Sequence, residues 1–230
     1  MTDNQLQRTR LPKPDAMIFD MDGTLFRTES NLIPAYHRVC DDLRAEGLLA
    51  GENPPDELIL SGLGMLLEDI WRRVFPGGSD ELRERANDRL LHHQMESLQQ
   101  GEGELYPGVK ETLMKLKEQG VRLFVASNGL EDYVKGVAQH REIAYLFEAL
   151  YSAGEYKTAT KVELVKLLLH THGVQSAWMV GDRSSDVEAG KKNDLAVIGC
   201  QYADFGDDSE LAGSDVFITD FSELLQVIEA

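Results

Sequence analysis

Two aspartates one residue apart follow a short apolar run near the start of the chain. Residues 16–19 read Ala-Met-Ile-Phe, and residues 20–25 read Asp-Met-Asp-Gly-Thr-Leu. Alternation along a strand points Asp20 and Asp22 to the same side, and Gly23 permits a sharp exit turn. Carboxylates that converge at a strand end repel each other unless a cation lies between them. The pair therefore indicates a metal site with oxygen ligands suited to Mg²⁺, and a simple polar turn is the alternative.

Polar residues also follow two later apolar runs. Ser127 and Asn128 come after such a run and could bind phosphate through a hydroxyl and helix-start amides, although Ser-Asn-Gly is also a common turn. Asp182 and Asp186 follow another run, and two acids four residues apart can hold a cation directly or through its waters. Helix N-caps favour Asp as well. The occurrence of all these groups at successive strand ends favours a phosphoryl-transfer site.

The rest of the chain predicts the elements that would position these residues. Apolar runs that are followed directly by polar residues predict strands. Amphipathic segments that end at a glycine predict helices between these strands. The predicted strands lie at residues 16–19, 121–126, 146–151, 177–180, 195–200 and 216–218. Alternating strands and helices imply a parallel sheet covered on both faces. We therefore predict the α/β class with a doubly wound, Rossmann-like core.

A long helical pattern separates the first strand from the others. From residue 29 onwards, apolar residues recur at spacings of three and four, with no strand alternation until residue 103. We predict an inserted all-helical domain at 29–103 and an α/β core at 1–28 and 104–230. The linkers at 26–30 and 101–105 are expected to act as hinges that close the insertion over a substrate.

Composition limits the partners and the compartment. The 230-residue chain has a formal net charge of −17, which argues against nucleic acid or an anionic membrane as a partner. No apolar run approaches the roughly 20 residues of a membrane span, and residues 1–10 lack the apolar core of a signal peptide. Cys40 and Cys200 are expected to be buried free thiols. We expect a cytoplasmic monomer or weak homodimer.

The motifs together resemble a known family. Their order, Asp-x-Asp-Gly-Thr-Leu, then hydrophobic-Ser-Asn, then Lys, then Gly-Asp-x-x-x-Asp, looks like the four motifs of the haloacid dehalogenase (HAD) superfamily. The resemblance covers nearly the whole chain. The helical insertion after the first motif, and Tyr-Pro-Gly-Val at 106–109, resemble the helical cap and the return to the core in phosphoglycolate phosphatase-like members.

The resemblance implies a role for each site residue. Asp20 would be the nucleophile that forms an aspartyl-phosphate, and Asp22 would protonate the leaving oxygen and then activate water. The metal ligands implied for Mg²⁺ are Asp20, Asp22 through its backbone carbonyl, Asp182 and, in support, Asp186. The groups implied to bind phosphate are Ser127, Asn128 and Lys161. The implied activity is hydrolysis of a small phosphorylated metabolite, as in phosphoglycolate phosphatases or 5′-nucleotidases.

Two lysines compete for the phosphate-binding position. Some relatives carry a Lys-Pro-x-Pro motif, which this chain lacks. The spacing between the lysine and the later aspartate in those relatives resembles the spacing between Lys157 and Asp182. Lys161, however, opens an amphipathic helix for which Thr160 can serve as N-cap, so its ammonium and the free helix amides could meet the same phosphate oxygens. We therefore predict that Lys161 is the functional lysine and that Lys157 is solvated.

Alternative functions and substrate contacts remain open at this point. A phosphomutase, which returns the phosphoryl group to a sugar, is the nearest enzymatic alternative. A non-catalytic binding protein on the same fold is the other alternative, but it would not need two converging carboxylates. Arg27, Glu29 and the loop at 61–64 are the predicted substrate contacts.

Overall fold

The computed structural model describes residues 9–63, 65, 67–203 and 208–229. The first eight residues of the predicted core and Gly64 of the predicted substrate loop lie outside this part. Eight strands are described: β1 Ala16–Phe19, β2 Phe26–Arg27, β3 Glu104–Leu105, β4 Arg122–Ser127, β5 Ala149–Ser152, β6 Ala177–Gly181, β7 Ala196–Cys200 and β8 Val216–Ile218.

Six of these strands form one parallel sheet in the order β5-β4-β1-β6-β7-β8. β1 lies in the centre, and the chain adds strands first on one side of it and then on the other. In open parallel sheets, ligands bind outside the carboxyl ends of the strands at such a reversal of strand order. The predicted α/β fold class is confirmed.

Ten α-helices are described, and most of them cover the sheet or form the insertion. They are α1 Glu29–Ala45, α2 Asp56–Leu60, α3 Leu67–Val74, α4 Asp80–Gln99, α5 Val109–Glu118, α6 Glu131–His140, α7 Ala153–Tyr156, α8 Lys161–His172, α9 Ser184–Lys192 and α10 Leu224–Val227. None of these described helices combines the length and the apolar character that a membrane span requires.

The central strand is buried on both faces. Met17 and Phe19 pack into one hydrophobic cluster, whereas Ala16 and Ile18 pack into a second cluster on the opposite face. This explains why β1 reads as a continuous apolar run, since a parallel strand between two helix layers has no solvent face. Both cysteines, Cys40 and Cys200, are buried free thiols, as predicted.

Helices α1–α4 build a third hydrophobic cluster of their own. Its members include Tyr36 on α1 and Trp71 on α3, and the ring of Trp71 stacks on Phe75 at a centroid distance of 5.7 Å. The helical pattern predicted for this region is therefore confirmed. Hereafter, "the insertion" means α1–α4 with their connecting loops.

The two linkers between the insertion and the sheet pair with each other. β2 and β3 form a short antiparallel ribbon in which Phe26 is opposite Leu105 and Arg27 is opposite Glu104. The sequence did not predict these strands, because two residues are too few for a periodic signal. Gly101 and Gly103, next to the ribbon, both have a φ of 86°. The second linker therefore contains two positions in the left-handed backbone region that favours glycine.

Short elements depart most from the sequence prediction. The strand predicted at 146–151 begins only at Ala149, because residues 144–146 form a 3₁₀ turn. The one-turn helix α7 was not predicted, and it begins where the Ser152 hydroxyl accepts a hydrogen bond from the Glu155 amide. The last described segment of the chain is a 3₁₀ turn at Phe221–Glu223 followed by the short α10.

Helix α8 allows a matched test of the packing. Leu164 is fully buried against the sheet, whereas Leu167 on the same helix is 37% exposed. We expect Leu164→Ala to lower the free energy of unfolding by about 2–5 kcal/mol, because it leaves a cavity in the core. Leu167→Ala should cost less than about 1 kcal/mol. Urea denaturation of both variants measures the difference, and equal losses would contradict the described orientation of α8.

Candidate active site

The carboxyl ends of β1, β4 and β6 open into a cavity of about 220 Å³. Five of the sequence-predicted site residues line it: Asp20, Asp22, Ser127, Asn128 and Lys161. The other two, Asp182 and Asp186, are buried beside Asp20: Asp182 directly follows β6, and Asp186 lies in the first turn of α9. The structure thus brings the predicted residues together from four separate chain segments.

Asp20 and Lys161 form a buried ion pair at the base of the cavity. The Lys161 ammonium lies 2.8 Å from Asp20 Oδ2 and 2.6 Å from Asp186 Oδ1. The other oxygen of Asp20 accepts a hydrogen bond of 2.8 Å from the amide of Met21. Burial opposes the charge on Lys161, but Asp186 and Asp20 outweigh it and raise the pKa of this ammonium above its usual range. Lys161 is therefore held as a cation.

The start of α8 explains the position of Lys161. The Thr160 hydroxyl accepts a hydrogen bond of 3.2 Å from the amide of Glu163, so the expected N-cap is present. Lys161 is the first residue of the helix and is only 3% exposed. Lys157, in contrast, is exposed after α7 and does not line the cavity.

The carboxylates of Asp20, Asp182 and Asp186 have ligand oxygens that all lie within 4.8 Å of one another. Asp182 Oδ1 accepts a hydrogen bond of 2.9 Å from the Thr24 hydroxyl. Its other oxygen is buried and accepts no hydrogen bond from the described residues, and the nearest described cation is Arg183 Nε at 3.5 Å. Burial and the charge of Asp20 raise the pKa of Asp182 well above its usual range.

This donor set fits Mg²⁺. The cluster consists of carboxylate oxygens, which are hard ligands, and one of them, Asp182 Oδ2, has no donor in the described part of the chain. Arg183 compensates Asp182 only in part, since its guanidinium also binds Glu210 at 2.7 Å. A divalent cation here would remove the repulsion that the buried carboxylates otherwise impose on one another.

Asp186 has less freedom to bind a metal than Asp182. One of its oxygens binds Lys161, and the other accepts a hydrogen bond of 3.0 Å from the amide of Arg183 at the start of α9. Burial, together with Asp20, raises the pKa of Asp186 to about 6. Its direct contacts therefore serve to fix Lys161 and the start of α9.

Two glycines make room for these carboxylates. Gly23 has a φ of 73°, and a Cβ at this position would lie 2.2 Å from Asp182 Oδ2. A Cβ on Gly181 would lie 2.2 Å from Asp186 Cγ. Both distances are far below any real contact. Glycine is therefore required at both positions, because a neighbouring carboxylate occupies the space that a side chain would need.

Asp22 is held by two hydroxyls. The Thr28 hydroxyl and the Tyr133 hydroxyl each donate a hydrogen bond of 2.7 Å to Asp22 Oδ1. Burial, followed by the charge of Asp20, raises the pKa of Asp22 to about 6, although both hydrogen bonds oppose this shift. A carboxyl group with a pKa near neutrality can both give and take a proton, which suits an acid–base catalyst.

Several residues of this site were not predicted from the sequence. Thr28 and Tyr133 were not predicted, although they fix Asp22. Thr158 and Arg183 also line the cavity, and the buried Thr158 hydroxyl oxygen has no hydrogen-bond partner among the described residues. A signal existed only for Arg183, which lies inside the last motif. The others are single polar residues in segments without a recognisable spacing.

The predicted substrate contacts agree only in part with the cavity. Arg27 pairs with Glu29 at 3.4 Å and with Glu104 at 3.1 Å, and neither Arg27 nor Glu29 is among the cavity-lining residues. From the predicted loop at 61–64, Leu63 lines the cavity. Arg27 and Glu29 instead stabilise the ribbon between the insertion and the core.

Comparison with known families decides the identification. The model of the haloacid dehalogenase-like hydrolase family matches residues 17–200, which include every described residue that lines the cavity and the three clustered carboxylates. The chain belongs to the haloacid dehalogenase-like hydrolases. Its fold agrees with the family: the crystal structure of a predicted phosphoglycolate phosphatase from Haemophilus somnus has a TM-score of 0.79 to this chain, with 21% identity, and covers 94% of this chain and 99% of that protein.

Curated relatives in the HAD family extend over the same length. Pyrophosphatase PpaX of Listeria monocytogenes is 24% identical over 94% of this chain and 97% of its own length. A 5′-nucleotidase of Pseudomonas aeruginosa is 28% identical over 93% of this chain and 95% of its own length. These HAD relatives are named for phosphatase reactions, and the chain is accordingly a hydrolase of the phosphatase type.

Thermal unfolding with and without MgCl₂ tests the metal site. Mg²⁺ should raise the melting temperature of the wild type, because a ligand that binds only the folded state stabilises it. We expect Asp182→Asn to lose most of this rise while remaining at least as stable as the wild type in metal-free buffer, since the substitution removes a repelling charge. Asp88→Asn, an exposed change on α4, serves as the control and should keep the full rise. A full rise in Asp182→Asn would argue against the site.

Proposed function

We propose that this protein hydrolyses a small phosphate monoester with Mg²⁺, through an aspartyl-phosphate on Asp20. The observation that carries the proposal is the arrangement at the base of the cavity. The Asp20 carboxylate lies 2.8 Å from the Lys161 ammonium, and Asp22, which follows Asp20 by two residues in the sequence, lines the same cavity. A nucleophile, a cation and an acid–base group thus surround one small space. Phosphoryl transfer requires this combination of positioning and charge stabilisation.

The reaction has two steps. In the first, an oxygen of Asp20 attacks phosphorus, the bond between phosphorus and the ester oxygen breaks, and Asp22 gives its proton to the departing alcohol. In the second, Asp22 takes a proton from water, the water oxygen attacks phosphorus, and the bond to Asp20 breaks to release inorganic phosphate. The pKa of Asp22, raised to about 6, supports both roles near neutral pH.

Charge stabilisation comes from several groups. Ser127, Asn128 and Lys161 line the cavity together with the nucleophile and would hold the non-bridging oxygens. The buried Thr158 hydroxyl also lines the cavity and is a further potential donor. Asp20, Asp182 and the backbone carbonyl of Asp22 would hold Mg²⁺, with Asp186 in support. When bound, Mg²⁺ would neutralise phosphoryl charge that the acidic carboxylates would otherwise repel.

We further propose that residues 29–103 act as a cap on a core formed by residues 1–28 and 104–230. Side chains of the insertion form one wall of the cavity, so the site is completed only when the two parts are together.

The cytoplasmic location and the monomeric or weakly dimeric state stay predictions. A phosphomutase would use the same first step but would release little inorganic phosphate, which separates it from a phosphatase.

Asp20→Asn should abolish phosphate release, because an amide can neither attack phosphorus nor balance the metal charge. We expect at least a thousandfold loss of kcat in a phosphate-release assay across a panel of monoesters. Circular dichroism checks that the variant remains folded. Retention of more than about 1% of wild-type turnover would contradict the aspartyl-phosphate route.

Lys161→Met should lower kcat by about a hundredfold or more, because it removes a cation from the developing phosphoryl charge. Lys157→Met is the matched control and should remain near the wild-type rate, since Lys157 is exposed outside the cavity. Both variants are assayed side by side at saturating substrate. A nearly normal Lys161→Met beside an inactive Lys157→Met would reverse the assignment.

A further inference from the structure

The cavity has two chemically different walls. The core side carries the carboxylates, hydroxyls and Lys161 described above. The insertion side is apolar, and Gln94 is its one polar residue among the described residues that line the cavity. The aliphatic side chains on this wall include Leu32, Ile59, Leu63, Ile70, Leu90 and Leu91.

The described cations that line the cavity lie at its base, beside Asp20 and Asp182. Among the described lining residues, these cations are Lys161 and Arg183, and both belong to the core. Lys161 contacts Asp20 and Asp186, and Arg183 binds Glu210. The insertion wall therefore offers no described cation to a negative charge on the leaving group.

We propose that the preferred substrate is the phosphate monoester of a small, uncharged, apolar alcohol. This inference rests on the proposed hydrolysis and assigns the leaving group to the aliphatic wall of the insertion. A carboxylate or a second phosphate on the leaving group would lose its hydration against leucine and isoleucine side chains without a compensating cation. A sugar would leave most of its hydroxyls unpaired, because Gln94 supplies the one side-chain amide among the described residues of this wall.

The size of the cavity agrees with a small leaving group. An apolar protein cavity of about 150 Å³ is sufficient for benzene. A space of about 220 Å³ therefore accommodates a phosphoryl group with a short alkyl chain or a single ring. Burial of each methylene of such a group favours binding about fourfold.

A pair of nearly isosteric esters tests the inference. Isobutyl phosphate and phosphoglycolate differ in that two methyl groups of the first replace the two carboxylate oxygens of the second. We expect kcat/KM for isobutyl phosphate to exceed that for phosphoglycolate by about a hundredfold or more. Equal values, or a preference for phosphoglycolate, would overturn the inference and leave the proposed hydrolysis intact.

Two matched variants on α4 test whether the cavity wall sets the preference between the two esters. Gln94 is buried on the cavity side of α4, whereas Gln99 is exposed near the end of the same helix. Gln94→Lys should lower kcat/KM for isobutyl phosphate and raise it for phosphoglycolate, each by about tenfold. Gln99→Lys should change neither value. A change of the same size in Gln99→Lys would show that bulk charge, and not the cavity wall, sets the preference.

Calorimetry separates binding from chemistry. The non-hydrolysable probes are 3-methylbutylphosphonate and 3-phosphonopropionate, which carry the same replacement of a carboxylate by two methyl groups. We expect the wild type to bind the first more tightly, and Gln94→Lys to reduce the ratio. If no ester releases phosphate but this preference holds, hydrolysis is wrong and the apolar specificity stands. If the carboxylate probe binds as tightly as the apolar one, the specificity is wrong.

Discussion

The site depends on keeping several carboxylates close together in a place with little water. At an effective dielectric constant of 20, two unit charges about 5 Å apart repel each other by about 3 kcal/mol. Asp20, Asp182 and Asp186 lie within this range, and Lys161 contacts two of them. The parallel sheet holds the strand ends that carry Asp20 and Asp182, so the chain cannot relax by moving the acids apart. In the proposed function, the same unfavourable arrangement would provide the affinity for a divalent cation.

The sequence predicted the sheet and most of the site for a physical reason. Strands buried on both faces must be apolar throughout, so β1 and β6 are visible as runs that stop at Asp20 and at Gly181-Asp182. Since all parallel strands expose their carboxyl ends at one edge, the end of each run also gives the location of its polar residues. Lys161 was found by the same logic, from the apolar face and the N-cap of its helix.

Residues that act through a single contact could not be predicted. Tyr133 lies on α6, more than a hundred positions after Asp22, and its hydrogen bond exists only because β4 lies beside β1. Thr28 ends a linker whose two-residue strand pairs with a segment far along the chain. The aliphatic wall of the cavity could not be predicted from the sequence either, since Ile59, Ile70 and Leu90 belong both to the hydrophobic cluster of the insertion and to the cavity lining. Sequence alone does not separate these two uses of an apolar residue.

The central position of β1 also affects how the molecule folds during synthesis. Ala16 is aligned with Arg122 on one side and with Ala177 on the other, so both neighbours of this strand are encoded more than a hundred residues later. At about 5–20 residues per second, the second neighbour is made roughly 8–30 s after β1. Contacts within the insertion, such as those between α1 and α4, span shorter stretches of chain, so both partners are synthesised before β4 and β6. The two aspartates of the first motif are therefore synthesised early and brought into position late.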